Sequence, residues 1–191
     1  MITLLARIIN RLVIRANKRN AMKRIHFRTK EAKKNCVIGK NVSIYNPNVF
    51  LGDKVVICDG VVIWGQGTIT IGDNVKIGFN TIIYSHENSH IVIGQNCAIA
   101  AGSYIIDTNH STDNLPVGVD NPLGNDDNYS PVVIGNNVWV SAHCTICKGV
   151  KLGDGVIVGA NSFVNKSFEA NAIIAGSPAK IVRFRGDKRW E

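Results

Sequence analysis

A length of 191 residues suits one domain with a short appendage, and an apolar share of 45% is too high for a disordered chain. The 18 glycines lack a strict period of three, and no run of about 18 uncharged apolar residues exists, which excludes collagen and a membrane-spanning helix. The net charge of +8 is concentrated at one end: residues 1–40 hold twelve Lys and Arg against Glu31 alone, a local +11, leaving −3 for the remainder.

Within this basic stretch Ile2, Leu5, Ile9, Leu12 and Val13 recur at helical spacing, while Arg7, Arg11 and Arg15 form an i, i+4 row. The pattern predicts a basic amphipathic helix in an appendage spanning residues 1–34. Its apolar stripe fits two surfaces equally well: anionic lipid, or the protein's own body or a partner subunit. Arg7 and Arg11 interrupt the apolar region, which argues against a signal peptide. The run has no aromatic interleaving, so nucleic-acid binding is not expected. Five cysteines, an odd number and well spread, fit a reducing compartment better than a secreted disulfide scaffold.

From Cys36 onward, large aliphatic residues return every six positions. The series are Ile38, Ile44; Leu51, Ile57, Ile63, Ile69; Ile71, Ile77, Ile83; Ile93, Ile99, Ile105; and Ile134, Val140, Ile146, Leu152, Val158, Val164. A smaller residue sits two positions before most anchors, among them Val55, Val75, Cys97, Ser103, Val138, Cys144 and Ser162. Gly often follows the anchor, as at Gly39, Gly72, Gly94 and Gly159. Neither an amphipathic helix nor a hairpin sheet has this period, whereas a parallel β-helix does. The anchor and the residue two before it then face inward together, and Gly, Asn or Asp serve the turns. Cys36, Cys97 and Cys144 fall in the small inward slot, so Cys144-x-x-Cys147 reads as packing rather than redox or zinc chemistry.

The repeat occupies residues 35–166, followed by a tail, 167–191, expected to pack on the coil. It is interrupted between Ile83 and Ile93, and again between Ile105 and Ile134. The second gap is not a multiple of six, so a polar, turn-rich loop (107–131) must leave the coil. Long loops on rigid scaffolds are where function concentrates.

The hexads, the loop opening Asp107-Thr108-Asn109-His110, the run from Val132 through Trp139 to Val140, and the ending Ala175-Gly176-Ser177-Pro178-Ala179-Lys180 together resemble the hexapeptide acyltransferases. The likeness is to sugar O-acetyltransferases of the galactoside and maltose type and to their relatives in surface-polysaccharide biosynthesis. It covers roughly residues 36–183. The resemblance implies a left-handed parallel β-helix, a homotrimer with the active site between neighbours, acetyl-CoA as donor and a sugar or glycan acceptor. His110 matches the family's catalytic base, which takes the proton from the acceptor hydroxyl. Asp107 would orient its imidazole, a task some members give to a backbone carbonyl. Trp139 would wall the pocket, and Asn80 lies near the position of an acceptor-contacting Asn. Ser141 and Ala142 stand where cofactor contacts and oxyanion-binding N–H groups are placed. Relatives tend to have Gly then Ser there, which favours a backbone role over a hydroxyl one. Ala160 resembles a pantetheine contact, and Lys180 and Arg183 would face the cofactor's phosphates.

The resulting expectation is a cytoplasmic, metal-free O-acetyltransferase of a sugar or glycan intermediate, held near the inner membrane face by its helix. N-acetylation of an amino sugar is the near alternative. The same scaffold also carries trimeric zinc carbonic anhydrases, and His86, His90, His110 and His143 make that reading testable. However, the close His pair precedes the single His, the reverse of that family's order.

Overall fold

A computed structural model describes residues 2–110 and 127–187, with side chains from residues 6–110 and 128–187. The chain winds into a three-sided parallel β-helix of about seven coils, the left-handed class expected. Face 1 stacks Ile25–Phe27, Val49–Leu51, Thr68–Ile71, His90–Ile93, Val132–Ile134 and Lys151–Leu152. Face 2 stacks Val37–Ile38, Val56–Ile57, Lys76–Ile77, Ala98–Ile99, Trp139–Val140, Ile157–Val158 and Ala172–Gly176, and ends on the antiparallel strand Ala179–Phe184. Face 3 stacks Ser43–Ile44, Val62–Gly65, Ile82–Ser85, Tyr104–Ile106, Thr145–Ile146 and Phe163–Val164.

The core is the hexad pattern made solid. Every anchor of the series is buried, and so is every small inward residue named above except Cys36, which is half-buried at the first coil. Like side chains stack on like down each face, as in Ile77, Ile99 and Val140 on face 2. Each fully buried aliphatic side chain contributes roughly 1.5–3 kcal/mol, and a solenoid adds these gains coil by coil. Ile69 is not a separate anchor. It lies two residues before Ile71 on one strand and both point inward, so the rhythm resets there.

The turns divide their labour in a way the glycine pattern did not suggest. After the anchors of faces 1 and 2, and after Ile146, the residue three positions on takes the left-handed conformation: Asn41, Lys54, Gly60, Asn74, Asn80, Asn96, Gly102, Asn137, His143, Gly149, Gly155 and Asn161. Asn accepts this region more readily than other side-chain-bearing residues, which explains its recurrence. The glycines directly after anchors have ordinary φ and are needed for close approach instead. At Gly72 a Cβ would lie 2.8 Å from backbone atoms of Gly94 and Gln95 in the next coil.

At the front end, helix α1 (Ile2–Lys23) leads into the first coil. The coil starts earlier than residue 35: Ile25–Phe27 pairs in parallel with Val49–Leu51, and Ile25 is buried. Three residues are too few to display a period, so this strand was hidden within the basic stretch. A short helix, α2 (Lys30–Asn35), is inserted after it, with Thr29 Oγ1 accepting the Ala32 N–H at 3.0 Å and Ala32 fully buried. Ala21 packs into the core from the end of α1, whereas Ile9 and Leu12 stay 52% and 57% exposed. No helix among the described residues is long and apolar enough to cross a membrane.

All five cysteines are free thiols. Cys97 and Cys144 donate to the carbonyls of Gly135 and Gly159 at 3.0 and 3.1 Å, and burial pushes both thiols up from their ordinary pKa. They are packing residues.

Candidate active site

From Ile38 to Val164, all the insertions between hexads fall at one edge of the prism, where face 3 turns into face 1. Successive anchors across that edge are separated by seven residues (Ile44 to Leu51), then eight (Ile63 to Ile71), ten (Ile83 to Ile93) and 29 (Ile105 to Ile134), before returning to six (Ile146 to Leu152). The largest insertion is the expected loop. Its tip, 111–126, lies outside the described residues. Its stem is an antiparallel pair, Thr108–His110 with Asp127–Tyr129, in register Thr108 to Tyr129 and His110 to Asp127.

Asp107 fastens this stem to the coil. Its side chain is fully buried, and its two carboxyl oxygens accept the Ser85 hydroxyl at 2.7 Å and the His86 N–H at 2.8 Å. Its carbonyl accepts the Ser130 N–H at 2.9 Å, which closes the far side of the loop. Asp107 is therefore first a positioning residue for the strand that carries His110. His110 itself is exposed, two residues beyond buried Thr108 on the same face of the stem.

The structure adds residues that the sequence reading missed. The His86 ring stacks on Tyr129, centroids 4.6 Å apart and planes 9° from parallel. Its Nδ1 accepts the Asn88 N–H at 3.2 Å, which leaves the hydrogen on Nε2 in the neutral ring. Tyr129 is the diagonal cross-strand neighbour of His110, so both imidazoles belong to one corner. One coil further back, Trp64 packs on Tyr84 at 4.1 Å. The signal for this cluster was the ten-residue spacing that contains Ser85 and His86.

The remaining candidates lie elsewhere on the prism. Trp139 is on face 2, outward and 51% exposed. Ser141, Ala142 and Ala160 form the next edge, from face 2 to face 3, which is built from small residues. The Ser141 N–H is already spent on the Val158 carbonyl at 2.9 Å. Ala142 and Ala160 have no such partner for their N–H groups among the described hydrogen bonds, so they are the better oxyanion or pantetheine donors. Lys180 and Arg183 sit on the last strand of face 2, three strands beyond Trp139 in the sheet. These residues form an open, uncluttered surface with cations at one end, a donor set that fits a long thioester cofactor ending in phosphates.

Asn80 is on this same edge and not beside His110. It is one of the left-handed turn residues, φ 54°, with its N–H bonded to the Asp59 carbonyl at 3.1 Å. His143 shares its turn position and its edge, φ 57°, apart from His86 and His110. Among the described residues no three His, Cys, Asp or Glu side chains converge as a metal site would require.

Similarity to known proteins agrees with this geometry. The profile for bacterial transferase hexapeptide repeats matches residues 131–166, and that for the hexapeptide repeat of succinyl-transferases matches 34–64 and 68–106. The putative lipopolysaccharide biosynthesis O-acetyl transferase WbbJ of Escherichia coli is 37% identical over 139 residues, 67% of this chain and 67% of that protein. The putative colanic acid biosynthesis acetyltransferase WcaF of Escherichia coli is 32% identical over 153 residues, 80% of this chain and 68% of its own length. AntD, an N-acyltransferase from Bacillus cereus solved with dTDP and 3-hydroxybutyryl-CoA, superposes with a TM-score of 0.73. It is 25% identical, over 90% of this chain and 88% of AntD.

The fold and its open, small-residue edge define a hexapeptide-repeat acyltransferase. The chain belongs to the hexapeptide acetyltransferase family, and it is an acetyl-CoA-dependent acetyltransferase.

Proposed function

We propose that the chain transfers acetyl from acetyl-CoA to a hydroxyl of a sugar or glycan intermediate in surface-polysaccharide biosynthesis. The observation that carries the reading is His110, held out on a stem that buried Asp107 clamps to the coil. WbbJ and WcaF, named for lipopolysaccharide and colanic acid biosynthesis, support the acceptor class.

The His110 imidazole accepts the proton of the acceptor hydroxyl as its oxygen attacks the thioester carbonyl carbon. The Ala142 or Ala160 N–H steadies the oxyanion that forms. Collapse breaks the C–S bond, the imidazolium returns its proton to the departing sulfur, and an acetyl ester and free CoA remain. General base catalysis of this kind contributes roughly 10²–10⁴ in rate.

Within one protomer His110 and the Ala142 edge are separated by a full side of the prism, about 15 Å for a face this long. The site closes when one protomer's stem reaches the small-residue edge of a neighbour, and a homotrimer is the simplest closed arrangement of such heterologous contacts. Trp139 then lines the acceptor and donor pocket from the neighbour's side, Lys180 and Arg183 take the donor's phosphates, and Asn80 contributes, if at all, from that same neighbour. In this reading the enzyme is cytoplasmic, where the acetyl-CoA donor is, and α1 lies on the anionic inner membrane face. Exposed Ile9, Leu12 and Val13 enter the interface beside Arg7, Arg11 and Arg15.

The decisive assay is thiol release from acetyl-CoA across a panel of sugars and amino sugars, with His110→Ala alongside. Turnover at the wild-type rate in that variant discards the base. AntD, an N-acyltransferase, keeps the amide product as a second reading. Base-labile product marks an ester, base-stable product an amide. For the membrane, sedimentation with anionic liposomes is compared between the full chain and an Ile9→Ser, Leu12→Ser, Val13→Ser variant. Deleting residues 1–34 would strip Ala21, Ile25 and Ala32 from the core. Equal sedimentation ends the idea.

A further inference from the structure

The edge that carries His110 also carries a row of aromatic rings that the transfer chemistry does not use. Tyr45, Trp64 and Tyr84 occupy the same position at the end of face 3 in three successive coils, Trp64 in register with Tyr84. Tyr45 and Trp64 are 63% and 42% exposed, and Tyr84 is half-buried. Outward aromatic rings stacked coil upon coil cost hydrophobic exposure and give no core packing in return. Gly65 lets the row form: with φ 93°, it has no Cβ to run into the Ser85 carbonyl of the next coil, so Trp64 and Tyr84 can close to 4.1 Å.

These rings line a cleft of about 440 Å³ together with Gln66, His86 and Glu87. Its far end is the His86–Tyr129 stack beside His110. Its near end meets, at Tyr45, a second cleft of about 430 Å³ lined by Lys23 and Arg24 at the end of α1. Arg24 is fixed there by donating to the Tyr45 carbonyl at 2.7 Å. A cleft of this size is in the range that holds small ligands.

We infer that this row is a glycan-binding track, and that the acceptor is an oligosaccharide lying along the edge with one ring at His110. The inference rests on the transferase reading above and names the substrate class it takes. The chemistry of the lining matches sugar. The apolar C–H faces of pyranose rings lie flat on aromatic rings, while their hydroxyls need both donors and acceptors, which the Gln66 amide, the His86 Nε2–H and the Glu87 carboxylate supply between them. With strands about 4.8 Å apart, Tyr45 to Tyr84 spans about 10 Å, room for about two to three rings before the reacting one. Lys23 and Arg24 at the outer end suit an anionic sugar or a phosphate-linked continuation of the chain.

The test is an array of bacterial glycans of one to six rings, probed with the full chain and with Trp64→Ala and Tyr84→Ala. Fluorescence polarisation on the best binder gives affinity, and thiol release from acetyl-CoA with small sugars is measured on the same preparations. The expected result is a preference for three or more rings, weakened about tenfold by either variant. Overturning results are binding to single rings only, no glycan bound, or variants that bind like wild type. A variant that alters the assembly state in size-exclusion chromatography while binding glycans normally makes the rings a subunit contact and also overturns the track. Failure of the track with acetyl transfer intact leaves the enzyme reading standing; glycan binding without acetyl transfer does the reverse.

Discussion

Asp107 separates two ways in which a buried acid can serve a neighbouring imidazole. In one it acts electrically, by holding the proton-bearing ring nitrogen. In the other it acts mechanically, by holding the strand on which the ring is mounted. The structure gives Asp107 two hydrogen bonds to the coil, from the Ser85 hydroxyl at 2.7 Å and the His86 N–H at 2.8 Å, with no exposed surface. Asp107→Ala leaves the buried Ser85 hydroxyl and the part-buried His86 N–H without acceptors, at a cost of about 1–3 kcal/mol for the first and less for the second. Asp107→Asn keeps one oxygen for the His86 N–H and turns its amide toward a Ser85 hydroxyl that can rotate to accept. Its cost should be only about 1–2 kcal/mol. Urea denaturation reports the stem's stability and thiol release from acetyl-CoA reports turnover. The mechanical role predicts that Asp107→Asn retains most of kcat while Asp107→Ala loses both stability and turnover. A loss of kcat in Asp107→Asn as large as in Asp107→Ala, with stability preserved, would refute the mechanical account.

Four other outcomes follow from the same coordinates. His110→Ala lowers kcat by roughly 10²–10⁴ and leaves the urea midpoint unchanged, because the exposed ring packs little surface into the core. Ile99→Ala, in the middle of the face 2 stack between Ile77 and Val140, destabilises by about 2–5 kcal/mol in urea titration. Acid should weaken the coil edges. Asp73 accepts the Asp53 N–H at 2.7 Å and pairs with Arg28 at 2.9 Å, and Asp154 accepts the Asn136 N–H at 2.7 Å. Chiefly through those N–H groups, both carboxyls are held below their ordinary pKa. Their contribution is complete above about pH 4 and is lost as pH falls through the depressed values, so a urea midpoint that stays flat down to pH 2 contradicts it. Finally, co-expressing His110→Ala with Ala160→Trp, each inactive alone, should restore roughly a quarter of the sites if neighbours share the pocket, and none if each protomer is self-contained.

The repeat was legible because the core of a β-helix is written at a fixed interval: Ile99 or Val158 announces its neighbours by spacing alone. Three things were not legible, for local reasons. The opening strand Ile25–Phe27 is only three residues long, half a repeat unit, and lies among basic residues, so no period could reveal it. Asn80 stands out in the sequence because it lies near the position of an acceptor-contacting Asn in the family. Only the φ angles show that the third residue after each anchor of faces 1 and 2 is a left-handed turn, which Asn fills for conformational reasons. His86 and Tyr129 lie 43 positions apart in sequence and meet only because the loop stem folds back beside the preceding coil. Backbone donors posed the same difficulty. Sequence leaves Ser141 and Ala142 equivalent; coil stacking consumes the Ser141 N–H and leaves Ala142 as the better donor.

The distribution of insertions supports the proposal that the site is shared between copies of the chain. A coil must close on itself at three edges, and an insertion at any one of them pushes chain outward without disturbing the stacked core. Apart from α2 in the opening coil, one edge takes them all here, growing toward the loop and then stopping, while the edge from face 2 to face 3 keeps Ala100, Gly102, Ala142, Gly159 and Ala160. A crowded edge supplies side chains that do chemistry and contact an acceptor; a bare edge supplies room and unpaired N–H groups for a long donor. Neither edge can reach the other across its own prism, because the core that makes the fold rigid stands between them. Bringing a crowded edge against a neighbour's bare edge completes the site with no change in either chain. In the trimer proposed above, three identical contacts of that kind would return to the starting protomer and tie catalysis to assembly.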